Sequence, residues 1–245
     1  MKLTGYKVKD KKALGLFAAA VVIMMFVIRY FLLSSGTIDE MYTLDEDELS
    51  DAITAYEVIV AAEDLSENEV TYVGGGTILD ARKASASDEE YTLTIAAALS
   101  VTGTSGEARG ITVTLPDGTA ADAVLIAFHE GDGYALIQCS FPEEAEVYYS
   151  RDILYRLAED EPVYVLSDGV IIEGSVTDPD AEAAGSEEDV IESLMEFSLP
   201  DTLTGAGLYG KSGNYLGMIL ETGEDGTLLY SIPGDVIMAA LDAAL

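Results

Sequence analysis

The sequence predicts an all-β domain, a sandwich or barrel, closed by a C-terminal helix and preceded by one N-terminal transmembrane helix. Three observations carry that expectation. Short apolar or alternating runs recur over residues 56–232, separated by Gly, Asp, Ser and Pro, as in a chain of evenly spaced strands and turns. Near the N-terminus lies a long apolar run, ALGLFAAAVVIMMFVIRYFLL, over residues 13–33. At the other end, PGDVIMAALDAAL has apolar residues at helical spacing behind a proline suited to a helix start. With 49% hydrophobic residues in a chain of 245, a packed core is available, which excludes global disorder despite a net charge of −33.

Residues 1–12 form a basic tail. The first 33 residues hold Lys2, Lys7, Lys9, Lys11, Lys12 and Arg29 against one acid, Asp10, a net +5. A bilayer core takes ~20 apolar residues in a helix, and 13–33 supplies them with Arg29 alone interrupting. Arg29 lies near the far end, where it can snorkel to the interface beside Tyr30. Lysines ahead of the run set the N-terminus in the cytoplasm and everything after about Ser34 outside. A cleaved signal peptide is the alternative; LLSSG is a poor cleavage site, so a retained single-pass anchor in the cell membrane is favoured.

Residues 34–55 read as an acidic stalk leading into a short helix around Leu44–Tyr56. Then come the strands: YEVIVAA, VTYVGGGTILD, YTLTIAAALSV, GITVTLPDG, ADAVLIAF, YALIQCS, PVYVLSDG, VIIEGSVT, IESLMEFSL, YLGMILE and TLLYSI. A second short helix is expected at Arg151–Leu157. TDPDAEAAGSEED, 177–189, reads as a charged loop; Asp178, Asp180 and Glu182 resemble calcium ligands only superficially, because the central glycine of an EF-hand is missing. No metal and no cofactor is expected.

After residue 33 the chain holds six basic residues against 44 acids, a net −38. Such a surface repels a phosphate backbone, so nucleic acid is excluded as a partner, and anionic headgroups are disfavoured. Ordinary solubility and halophilic adaptation both give this charge. Cys139, the single cysteine, has no internal disulfide partner; it reads as a small buried hydrophobe on the strand ALIQCS, with an intermolecular bridge as the alternative.

Three segments carry a further signal: YTLTIAAALSV followed by GITVTLPDG, then ADAVLIAFHEGDGYALIQCS, then DTLTGAGLYGKSGNYLGMIL. In that order they resemble the trypsin-like serine proteases, specifically the bacterial HtrA (Deg-type) branch. Tyr91, Leu93, Thr94 and Ala96 match the strand that ends at that family's catalytic histidine, whose position falls on Ala97. Ala135 and Leu136 match its Ala-Leu, which puts the aspartate position at Gly133, with Asp132 one residue early. The glycine-rich nucleophile loop matches from Thr202 and Leu203 through Thr204 and Gly205 to Leu208, with the serine position on Thr204.

The resemblance implies two six-stranded β-barrels over residues 56–245, with the ancestral site between them and no PDZ module before the end at Leu245. It also implies a degenerate site. Acyl transfer needs a hydroxyl, a base to take its proton and a carboxylate to orient that base. Ala97 has no titratable atom, Gly133 has no side chain, and Thr204 offers a hydroxyl crowded by a methyl. Loss of such a triad costs on the order of a million-fold in rate. The oxyanion loop Thr202–Gly205 is vestigial, with Thr-Leu in place of Gly-Asn.

His129, the only histidine, and Asp132 form a conceivable displaced dyad in FHEGDG, against which stands the plainer reading of an exposed loop histidine. Lys211 and Ser212 lie in KSGN, which suits a hairpin rather than a Ser-Lys site. The expectation is an inactive protease-like module that binds extended peptides or an envelope protein, or regulates one. An atypical hydrolase using Thr204 and a self-assembling structural ectodomain are the alternatives.

Overall fold

The computed structural model describes residues 24, 44–64, 71–83, 90–104, 109–142, 157–167, 169–184, 190–199, 204–220 and 229–245. The tail, the expected membrane helix and the stalk up to Thr43 lie outside the described residues, Met24 excepted. So does the helix expected at 151–157, of which only Leu157 is described, in neither helix nor strand. Among the described residues no helix is long and apolar enough to cross a membrane.

Residues 44–245 form one compact unit. It opens with helix α1, Glu46–Thr54. Asp45 accepts a hydrogen bond from the Glu48 N–H at 2.9 Å, while the Asp45 N–H donates to the Glu48 carboxylate, a capping box that orders the first turn. The acids at 45–48 thus sit where the helix dipole favours them. Leu49 and Ile53, one turn apart, bury the other face. The Leu44 N–H donates to the Lys211 carbonyl at 3.0 Å, so the chain is already docked on the domain at residue 44.

Six antiparallel strands close the first barrel in the order β1-β2-β3-β6-β5-β4: β1 Glu57–Asp64, β2 Thr71–Arg82, β3 Glu90–Ala98, β4 Arg109–Thr114, β5 Ala120–His129 and β6 Tyr134–Pro142. A short turn of helix, α2 (Leu99–Thr102), follows β3. Six more close the second, β10-β11-β12-β9-β8-β7: β7 Pro162–Ser167, β8 Val170–Ala184, β9 Val190–Ser198, β10 Gly207–Tyr209, β11 Tyr215–Ile219 and β12 Leu229–Pro233. Helix α3, Gly234–Ala244, begins directly after Pro233 and ends the domain.

The segment expected as a charged loop at 177–189 is different in the structure: β8 continues to Ala184 and pairs with β9 as far as Val190. Acidic composition hid a strand alternation, because Asp180 and Glu182 point to water while Ala181 between them is buried opposite Leu194. Asp178, Asp180 and Glu182 are therefore strand residues, and no group of three His, Cys, Asp or Glu among the described residues could hold a metal.

Alternation fills both barrels. Val58, Val60 and Ala62 of β1 join Leu93, Ile95, Val113, Ile137 and Phe141 inside the first. Cys139 is among them, and burial pushes its thiol up to about 12. Val163, Val165, Val176, Phe197 and Ile219 fill the second. A third apolar core lies between the barrels. There Leu79, Ala96 and Leu136 from the first meet Tyr209, Tyr215 and Met218 from the second, with Leu49 and Ile53 of α1 and Ile237 and Leu241 of α3.

Candidate functional site

At the seam between the barrels the chain is stripped to its backbone. Gly74, Gly75 and Gly76 lie consecutively in β2, and all are buried. The Gly75 N–H donates to the Thr204 carbonyl at 2.8 Å, tying the first barrel to the loop before β10. A Cβ on Gly75 would lie 2.7 Å from the Ala206 backbone, and one on Gly74 2.7 Å from the Thr204 carbonyl oxygen. Gly205 has φ +88°, donates its N–H to the Ile219 carbonyl at 2.9 Å, and leaves no room for a side chain: a Cβ would meet the Gly75 oxygen at 2.5 Å and the Ala98 nitrogen at 3.1 Å.

The segments predicted to carry the site thus do converge. The end of β3 meets the loop at Thr204–Ala206 through Ala98, and the Leu99 N–H donates to the Gly133 carbonyl at 2.9 Å, bringing in the β5–β6 turn. Gly133 has φ +73° and closes that turn by donating to the His129 carbonyl. Ala97 itself faces inward: it pairs with Gly76 and belongs with Leu93 and Ile95 to the first barrel's core. Ala96 and Ala98 flank it, so three successive methyl groups, all buried, occupy this stretch. Thr202 and Leu203 of the expected oxyanion loop lie outside the described residues.

His129 is half-buried at the end of β5, its ring stacked on Tyr134 at 4.5 Å and 11°. Among the described residues neither its imidazole nor the Thr204 hydroxyl makes a hydrogen bond, and no ion pair joins His129 to Asp132. Burial, reinforced by the Asp132 charge, pushes the Tyr134 phenol up to about 12. Lys211 and Ser212 sit in the β10–β11 turn, where the Gly210 N–H donates to the Asn214 carbonyl and Gly213 takes φ +71°.

One charged group in the seam gave no sign of itself in the sequence. Glu57 opens β1 on its outward face, the face the second barrel covers, and is buried. Its Oε1 accepts from Thr77 Oγ1 at 2.8 Å, from the Gly207 N–H at 3.1 Å and from the Tyr209 hydroxyl at 2.5 Å. Oε2 receives only a 3.2 Å share of the Gly207 N–H. Burial outweighs these hydrogen bonds and pushes the carboxyl up to about 7. The phenols of Tyr209 and Tyr215 are raised well above their ordinary range by burial first and the Glu57 carboxyl second. The one available signal was Gly-Gly-Gly within a strand, which marks a close backbone approach and so a second body packed there.

Two closed six-stranded barrels meeting over a glycine-rich loop, with a helix after the last strand, are matched in solved structures. The chain has the trypsin-like double β-barrel fold. The Rv3671c protease of M. tuberculosis, in its active form, superposes with a TM-score of 0.62 at 10% identity, over 80% of this chain and 83% of that one. The MamO protease domain of Magnetospirillum magneticum, in its apo form, gives 0.56 at 16% identity, over 77% and 97%. An inactive form of the Rv3671c protease gives 0.56 at 10%, over 80% and 92%. No protein-family model matches the chain, and no curated protein sequence does. At these identities the likeness is one of fold alone.

Proposed function

We propose that this chain is a membrane-anchored, extracytoplasmic trypsin-like domain that has lost peptide hydrolysis and acts as a protein-binding or regulatory module. The observation that carries the reading is the seam itself. Where acyl transfer requires a base beside a hydroxyl, the end of β3 offers Ala96, Ala97 and Ala98, the β5–β6 turn offers Gly133, and the Thr204 hydroxyl makes no hydrogen bond among the described residues. His129, engaged face to face with Tyr134, supports the plainer role of a turn histidine rather than a displaced base. The anchor rests on the apolar run 13–33 and the lysines ahead of it.

A fold of this kind presents extended peptides with backbone to pair against and neighbouring pockets for alternate side chains, which supports an extended segment of an envelope protein as the ligand class. A fluorophosphonate probe tests the loss of chemistry. The expected result is no labelling of the wild-type chain; labelling that disappears in Thr204→Val would overturn it. Screening the chain against a peptide library tests the binding role, and absence of enrichment for any extended peptide would count against it.

A further inference from the structure

Among the described residues, Glu57 is the one carboxyl that bonds across the two barrels. It belongs to β1 of the first, and two of its three donors, the Gly207 N–H and the Tyr209 hydroxyl, belong to β10 of the second. The third, Thr77, is its cross-strand neighbour on β2. Gly207 begins the strand that issues from the loop Thr204–Ala206, which lies on Gly74 and Gly75. Whatever holds Glu57 to Gly207 therefore holds that loop against the first barrel.

The two carboxyl oxygens are unequal. Oε1 has all three donors, whereas Oε2 has only the longer share of one. A proton can reside on Oε2 while every bond to Oε1 survives. Remove that proton, and a full charge is left in a buried site with one shared N–H at 3.2 Å facing the poorer oxygen. Beyond the three donors to Oε1, no positive charge answers it. Tyr209 of β10 and Tyr215 of β11 face it as neutral phenols; Tyr56 stacks on Tyr209 at 6.3 Å, and Tyr134 of β6 lies beyond Tyr215. Helices α1 and α3 present Leu49, Ile53, Ile237, Met238, Ala240 and Leu241 to this core, all of them uncharged. No Lys, Arg or His among the described residues offsets the carboxylate.

We propose that Glu57 is a proton-operated latch between the barrels: neutral, it holds the seam shut; ionised, it lets the loop Thr204–Ala206 lift from β2. The sign follows from linkage. The buried carboxyl holds its proton to about 7, against 4.5 for the group freed by opening. The shut state therefore binds more protons, and opening becomes easier as pH rises between those values and no easier above them. The latch acts whether or not the seam receives a peptide.

Hydrogen exchange read by mass spectrometry on the full chain in detergent micelles tests this, with rates corrected for the intrinsic pH dependence of exchange. Between about pH 5 and about pH 8, fragments covering 71–79 and 204–219 are expected to open at least about tenfold more readily, with a plateau above about 7. The barrel strand β6 is expected to shift less than about twofold. Glu57→Gln, which mimics the neutral carboxyl, is expected to stay shut throughout. A flat wild-type profile, the same profile in Glu57→Gln, or β6 opening in step with the seam would overturn the proposal. If Glu57→Gln does not fold, the carboxyl carbon shift of Glu57 in the wild-type chain decides. A midpoint near 7 supports the latch, and one near 4.5 sinks it.

Discussion

Inside the first barrel, Val60, Leu93, Ile95, Val113 and Ile137 meet through branched aliphatic side chains that interlock in the pleat. A few ångströms away, where the barrels meet at the loop, contact runs through Gly74, Gly75, Ala98 and Gly205–Gly207, with tyrosines and the Glu57 carboxyl around them. The barrel interior is held by area, and many side chains of similar volume would serve there. The seam is held by backbone proximity and a few hydrogen bonds, and at its glycines no larger residue fits. A single methyl should therefore cost several times more when added at the seam than when removed from a barrel.

The sharpest test of that contrast is Gly205→Ala. Its methyl would meet the Gly75 oxygen at 2.5 Å from a backbone of φ +88°, so a loss of about 3–4 kcal/mol in denaturant unfolding is expected. Next in size is the charge in the seam. Relative to Glu57→Gln, the wild-type chain should lose ~3 kcal/mol of stability as pH rises from the ordinary carboxylate range through about 7, and nothing further above it. Urea midpoints at several pH values read this directly. In the barrel, Ile95→Val deletes one buried methyl and should cost only about 1 kcal/mol by the same assay. Smallest is Asp45→Ala, which breaks the capping box of α1; about 1 kcal/mol or less is expected, since α1 also holds through Leu49 and Ile53. An Ile95→Val loss equal to that of Gly205→Ala would erase the distinction.

The same contrast separates what was legible in the sequence from what was not. Barrel strands write themselves in period two, so Val58, Val60 and Ala62 announce an inward face before any coordinates exist. Pro233 and the helical spacing after it placed α3. The ordered resemblance of three segments placed the meeting of β3, the β5–β6 turn and the loop at Thr204. Glu57 was invisible for a definite reason: it stands on the outward alternation of β1, which reads as solvent-facing until a second barrel covers it. The strand hidden in 177–184 failed differently. Its alternation is real, but aspartate and glutamate beside alanine look like a loop to any rule that weighs composition over period.

Glu57 and Gly207 are 150 residues apart in the chain, and Glu57 and Tyr209 are 152 apart. By contrast, every strand pair of the first barrel lies within residues 57–142, and every pair of the second within 162–233. Ordering so long an intervening stretch for the sake of the seam contacts alone is entropically slow, whereas each barrel closes over much shorter spans. Assembly should accordingly run in sequence, each barrel forming by itself and the join between them coming last. Helix α1, made before either barrel, must then wait for the final hundred residues before its buried face finds its place.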